Sequence, residues 1–192
     1  MRPQKVDQAD MMQGLLRVLR ARGYDGASLK EFAEATGLKK ASLYHRFPGG
    51  KEEMTAAVLA YTASWVEQNI YQVLTDSEYP PAERLTTLIN NLRAFYADGD
   101  AICIFRALST ETGLDLFGLQ LKKGMERWQA AFTELGLELG HTLQGAQLQA
   151  QQSLISIQGS LIVAQCLGQQ QVFLDAVEQL KPQYLESNHA IN

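Results

Sequence analysis

The sequence predicts an all-α chain: three short helices at the N-terminus, a long fourth helix, and a C-terminal helical bundle. Three observations predict it. Apolar residues recur at spacings of three and four along nearly the whole chain, and no segment shows the bounded alternation of a strand. Helix-stopping residues interrupt that pattern at Gly23, Gly37, Pro80-Pro81 and Asp98-Gly99-Asp100. A composition of 46% hydrophobic and 20% charged residues belongs to a globular protein, well clear of the disordered class.

The first helix is expected over about residues 7–22, with Met11, Leu15, Val18 and Leu19 on its apolar face. Arg20 and Arg22 sit in its last turn, where the helix dipole favours cations, and Gly23 ends it. Ser28 can cap the second helix while Glu31, three residues on, reaches back to the cap, which makes a capping box. Leu29, Phe32 and Ala33 form one face of a helix about two turns long, and Gly37 supplies a left-handed stop. A third helix over 40–47 turns Leu43 and Phe47 inward and leaves Lys40, Ala41, Ser42 and His45 outward. Two short helices joined by a tight turn, the second with a small, polar or cationic outer face, suit a helix-turn-helix that enters the major groove. An ordinary helical hairpin with a solvated face fits the spacing equally well.

The fourth helix starts near Lys51 and keeps its period for more than twenty residues through Met54, Val58, Tyr61, Trp65, Ile70 and Leu74. It reads either as a mechanical link between two domains or as a passive spacer. After the break at Pro80-Pro81 a fifth helix spans 81–97, a short one 102–111, and a long one 114–136 with Trp128 and Phe132 at helical spacing. The glutamine-rich stretch 144–171 carries apolar residues on two sides, Leu154, Ile157, Leu161 and Ala164 on one and Ile155, Gly159, Ile162 and Cys166 on the other. Such a helix must be covered twice. Either both faces are buried within one protomer or one meets a second copy. A last helix over 172–185 adds Phe173 and Val177.

The net charge of −4 conceals an asymmetry: residues 1–60 carry ten Lys or Arg and seven Asp or Glu, a net of +3, and the remainder carries −7. The basic charge gathers where the helix-turn-helix lies, as a modest phosphate-binding surface requires. The first ten residues contain no signal-peptide core, no apolar run reaches membrane-spanning length, and Cys103 and Cys166 stand far apart, so a cytoplasmic location without disulfides is expected. His45, His141 and His189 lack partners at zinc-ligand spacing, and Gly49-Gly50-Lys51 lacks the leading glycine of a phosphate loop. No cofactor and no enzyme activity are expected.

The segment LYHRFPGGKEEM, with Tyr44, Phe47 and Lys51, resembles the DNA-binding domain of the TetR family of bacterial transcriptional regulators. The link from Phe47 to Lys51 is one residue longer than the common family spacing, and its Pro48-Gly49-Gly50 resembles the subgroup typified by LmrA and YxaF. The resemblance implies a DNA-binding domain over 1–52 and a ligand-binding and dimerisation domain over 53–192. It implies a homodimeric repressor of an inverted-repeat operator, released by a small apolar inducer. Under it, Tyr44 hydrogen-bonds a phosphate, Phe47 locks the two helices, and Lys51 opens the fourth helix against the DNA backbone. Ser28, Lys39, Lys40, Ala41, Ser42 and His45 complete the expected DNA-contacting set, with Lys39 standing where the family usually carries a Ser or Thr cap. Trp65, Phe95, Phe105, Trp128 and Phe132 are the candidate inducer pocket, although aromatics at helical spacing are more commonly core. Ile155, Gly159, Ile162, Cys166, Phe173 and Val177 are the expected pairing surface. Cys103, at the start of a short helix, is a candidate oxidant or electrophile sensor, since a helix N-terminus lowers a thiol's pKa. The plainer reading of Cys103 is a small buried apolar residue. A helical small-molecule carrier without DNA binding is the remaining alternative.

Overall fold

The computed structural model describes residues 6–186, and among them the regular structure is helical throughout. The helices are α1 (Gln8–Gly26), α2 (Leu29–Thr36), α3 (Lys40–Arg46), α4 (Gly50–Val66), α5 (Gln72–Thr75), α6 (Pro81–Phe95), α7 (Ile104–Leu108), α8 (Glu111–Glu138), α9 (Leu143–Leu167), α10 (Gln171–Glu178) and α11 (Leu180–Leu185). The described residues divide into two compact units, one running up to residue 63 and including 103–122, the other of 64–102 with the residues from 123 onward. The expected boundary after residue 52 falls inside α4. By packing, the rest of α4 up to Ala63, α7 and the start of α8 join the N-terminal helices.

In the first unit the apolar stripes of α1 to α4 converge. Leu15, Leu19, Phe32, Leu43, Met54 and Val58 are buried there, and Phe32 alone contributes about 2–3 kcal/mol of burial. α1 breaks at Gly23, whose φ of 66° and ψ of −174° only glycine adopts at ease. A Cβ at that position would also lie 2.9 Å from the carbonyl oxygen of Ala107 in α7, so the same residue ends one helix and admits another.

The elements after the start of α4 depart from those expected in three places. The fourth helix is interrupted by a π-turn over Glu67–Tyr71, held by Arg127, which donates from Nε and a terminal nitrogen to the two oxygens of Glu67 at 2.6 and 2.7 Å. Arg127 also lies over the Tyr71 ring, 3.0 Å from its centroid. The short helix is confined to Ile104–Leu108, and the last one splits at Gln179, since Pro182 has no N–H to offer the Glu178 carbonyl four residues back. Arg84 is buried, donates to the Leu74 carbonyl at 2.6 Å and pairs with Glu138, which joins the end of α5 to α6 and α8.

Candidate nucleic-acid interface

The local chemistry of α2 forms as its sequence dictates. The Ser28 hydroxyl accepts from the Glu31 amide at 3.3 Å, and Glu31 accepts from the Ser28 amide at 3.0 Å and from the Ser28 hydroxyl at 2.8 Å. The other Glu31 oxygen accepts from Arg22 Nε at 2.8 Å, so the capping box is tied to the end of α1. The Ser28 side chain and amide, then Arg22, hold the Glu31 carboxyl below the usual carboxylate range. At the far end Gly37 takes φ 67°, and the buried Thr36 hydroxyl donates to the Phe32 carbonyl at 2.7 Å. This turn delivers the chain to α3.

Leu43 and Phe47 are buried, which fixes the opposite face of α3 outward. Lys39, Lys40, Ala41, Tyr44 and His45 are exposed, and Ser42 is half-buried. Lys39 stands at the N-cap of α3 with no side-chain cap bond. Arg46, which the sequence reading passed over, is exposed at the end of the same helix and donates to the Met11 sulfur at 3.2 Å. Lys30 is also exposed, within 3.9 Å of Glu34.

Lys51 departs from expectation. It is half-buried, and its ammonium donates to the Tyr24 carbonyl at 2.9 Å while lying 4.4 Å from the centroid of the Tyr24 ring. The other face of the link is closed as well. The Gly49 amide donates to the Glu53 carboxylate at 2.7 Å, and the Gly50 amide to the Phe47 carbonyl at 2.9 Å. Tyr24 gave no signal in the sequence, because its partner is 27 residues away.

The residues expected to line an inducer pocket fall into three groups. Trp65 and Phe95 are half-buried and stacked, with ring centroids 3.9 Å apart and planes at 18°. Trp128 and Phe132 are fully buried, Phe132 stacked on Tyr184 and Trp128 with an indole N–H that has no hydrogen-bond partner. Phe105 belongs to the first unit, so it does not join the others within the second. Cys103 is only 2% exposed, an apolar core residue at the start of a five-residue helix, which leaves the thiol without access to an oxidant in this conformation.

On α9, Ile155 is 64% exposed and Ile162 39%, with Cys166 exposed and Gly159 half-buried between them. Phe173 and Val177 correct the expected pairing surface. Both are fully buried, Phe173 packing its ring edge-on to Tyr96 with centroids 5.8 Å apart, because α10 turns its apolar stripe toward α6 and the Gly99 turn. Among the described residues no three His, Cys, Asp or Glu side chains gather where a metal ion would sit, and His189 lies outside them. No described helix is long and apolar enough to cross a membrane.

Residues 12–58 match the family described as "Bacterial regulatory proteins, tetR family". The chain is 30% identical over 128 residues to the uncharacterized HTH-type transcriptional regulator YxaF of Bacillus subtilis (strain 168), covering 65% of this chain and 66% of that protein. It is 27% identical over 82 residues to the HTH-type transcriptional regulator LmrA of the same organism, 43% of each chain. The match thus spans about two thirds of one curated relative and under half of the other. Among solved structures, a TetR transcriptional regulator from Legionella pneumophila superposes with a TM-score of 0.80 at 16% identity, over 96% of this chain and all of the other. The CifR cysteine mutant complexed with 26bp double-strand operator DNA superposes with a TM-score of 0.72 at 22% identity, over 93% and 97%.

Proposed function

Because the chain belongs to the TetR family of bacterial transcriptional regulators, we propose that it is a ligand-responsive repressor that binds an inverted-repeat operator as a homodimer. The observation that carries the DNA half is the outer face of α3. Lys39, Lys40, Ala41, Tyr44 and His45 stand exposed on a short helix whose opposite side is anchored by Leu43 and Phe47, with the Ser28 capping box and Gly37 setting its approach. Small and polar side chains on such a face fit the major groove, and the tyrosine hydroxyl and lysine ammoniums suit phosphates and base edges. Lys40, Ser42 and His45 are the base readers in this proposal, and Tyr44 is the phosphate contact. CifR, of the same fold, binds operator DNA, which supports the assignment.

One unit of this size presents a small positive surface, so tight binding calls for two, related by a two-fold axis. The exposed apolar face of α9 at Ile155, Gly159 and Ile162 is the surface we assign to pairing. The inducer half of the proposal rests on the stacked, half-buried Trp65–Phe95 pair, which offers a flat apolar contact. An inducer of this kind is small and mainly apolar. Such a protein works where its DNA is, in the cytoplasm, and catalyses no reaction.

Selection from random DNA, followed by a gel shift on the promoter region adjoining its own gene, tests the DNA half. A chain that retains no duplex is a helical carrier instead. A thermal-shift screen with apolar compounds tests the inducer half, and a screen in which nothing stabilises a DNA-binding protein removes it. DNA release by a stoichiometric quinone that Cys103→Ser abolishes would replace the reversible inducer with oxidation of the buried thiol.

A further inference from the structure

We propose that Lys51 is a positioning residue, one half of a latch whose other half is Tyr24, and that it closes the helix-turn-helix instead of holding a DNA phosphate. The inference rests on the DNA-binding reading above and departs from the role that the family resemblance gives this lysine. The ammonium donates to the Tyr24 carbonyl at 2.9 Å and lies 4.4 Å from the Tyr24 ring centroid. A charge-assisted hydrogen bond and a cation–π contact thus act on one group. Tyr24 precedes α2 and Lys51 follows α3, so this contact joins two residues 27 positions apart that bracket the whole reading motif. The ring itself is fixed from another side by Phe117 of α8, which meets it edge-on with centroids 5.4 Å apart.

The surroundings of the α4 start are hostile to a phosphate. Its loop amides are already spent, Gly49 on the Glu53 carboxylate at 2.7 Å and Gly50 on the Phe47 carbonyl at 2.9 Å. Glu52 and Glu53 are both exposed in the first turn, where they take up the favourable end of the helix dipole and repel a second anion. With the lysine turned inward, no side chain in the first turn of α4 offers a phosphate an outward cation. On α2, α3 and the turn between them, Lys30, Lys39, Lys40 and Arg46 are exposed cations.

Two measurements decide the matter. On a duplex selected by the wild-type protein, Lys51→Met should bind about tenfold more weakly, while the slope of log affinity against log salt stays that of wild type. A lysine that neutralises a phosphate would instead flatten that slope by about 0.9 per protomer when removed. Flattening, or binding as tight as wild type, overturns the latch. Reductive methylation of the DNA-free wild-type protein, read by mass spectrometry, supplies the second measurement. Lys51 should react severalfold more slowly than Lys39 and Lys40, and Tyr24→Leu, which removes the ring contact and keeps the backbone carbonyl, should raise its rate part of the way to theirs. Equal rates in the wild type overturn the latch without any variant having to fold. If no duplex is selected at all, the DNA-binding reading fails, and the methylation rates still decide whether the latch exists.

Discussion

Gly14 lies inside α1, where a sequence-based argument recommends replacing it. Alanine in a helix interior is favoured over glycine by about 0.8–1.0 kcal/mol, so Gly14→Ala should stabilise the protein if α1 acts alone. It does not act alone. A Cβ at Gly14 would lie 2.7 Å from the Ala35 carbonyl oxygen, 3.1 Å from its carbonyl carbon and 3.1 Å from Thr36 Cγ2. An ordinary carbon–oxygen contact is about 3.3 Å or more, so the last turn of α2 must retreat by about 0.6 Å. Two of the three obstructing atoms are backbone and cannot rotate away. Overpacking of this kind costs about 1–3 kcal/mol, which offsets the propensity gain of about 0.8–1.0 kcal/mol and leaves a net loss of up to about 2 kcal/mol. The retreating turn leads directly into Gly37 and α3, so DNA affinity should fall with stability. Urea unfolding measures the first effect through a lower midpoint with an unchanged slope. Gly118→Ala is the control, because nothing stands within 4 Å of its added Cβ, and it should gain up to about 1 kcal/mol. If Gly14→Ala gains as much as Gly118→Ala, the close approach of α1 and α2 is wrong.

Three further outcomes are expected. Ser28→Ala removes the acceptor of the capping box and should lower stability by about 1 kcal/mol in urea, with weaker DNA binding. Glu31 has a folded-state pKa depressed from its ordinary 4.5, so its contribution is fully present above pH 4.5 and is lost as pH falls through the folded value. Glu31→Gln should therefore show a shallower loss of stability on acidification below that pH, and parallel curves would show that the hydrogen bonds from Ser28 and Arg22 do not persist in solution. Ile155→Asp with Ile162→Asp should convert a dimer to a monomer in sedimentation while leaving protomer stability within about 0.5 kcal/mol per site, because both side chains are exposed in the single chain. A double variant that sediments as a dimer places the pairing surface elsewhere.

What the sequence determined by itself is local. The capping box at Ser28 and Glu31, the left-handed Gly37, the break at Pro80-Pro81 and the inward Leu43 and Phe47 depend on neighbours within one or two turns, and each is present. Helical periodicity states which residues are covered and leaves open what covers them, and there tertiary structure decided. Phe173 and Val177 have the spacing of a partner-facing stripe, yet α10 spends it on its own protomer. Trp65 and Phe95, thirty residues apart in the sequence, become a stacked pair, whereas Phe105 joins the other unit through the packing of α7. A lysine at a helix start looks free for a phosphate until the chain brings a carbonyl and a ring to it from 27 residues away. A glycine in a helix looks like a weakness until a second backbone is found 2.7 Å from its missing Cβ. Capping and turn chemistry act within a few residues and are written in the order of the chain. The direction of a long cation, the owner of an apolar face and the room for a methyl group are set by atoms remote in sequence, and only the folded chain brings those together.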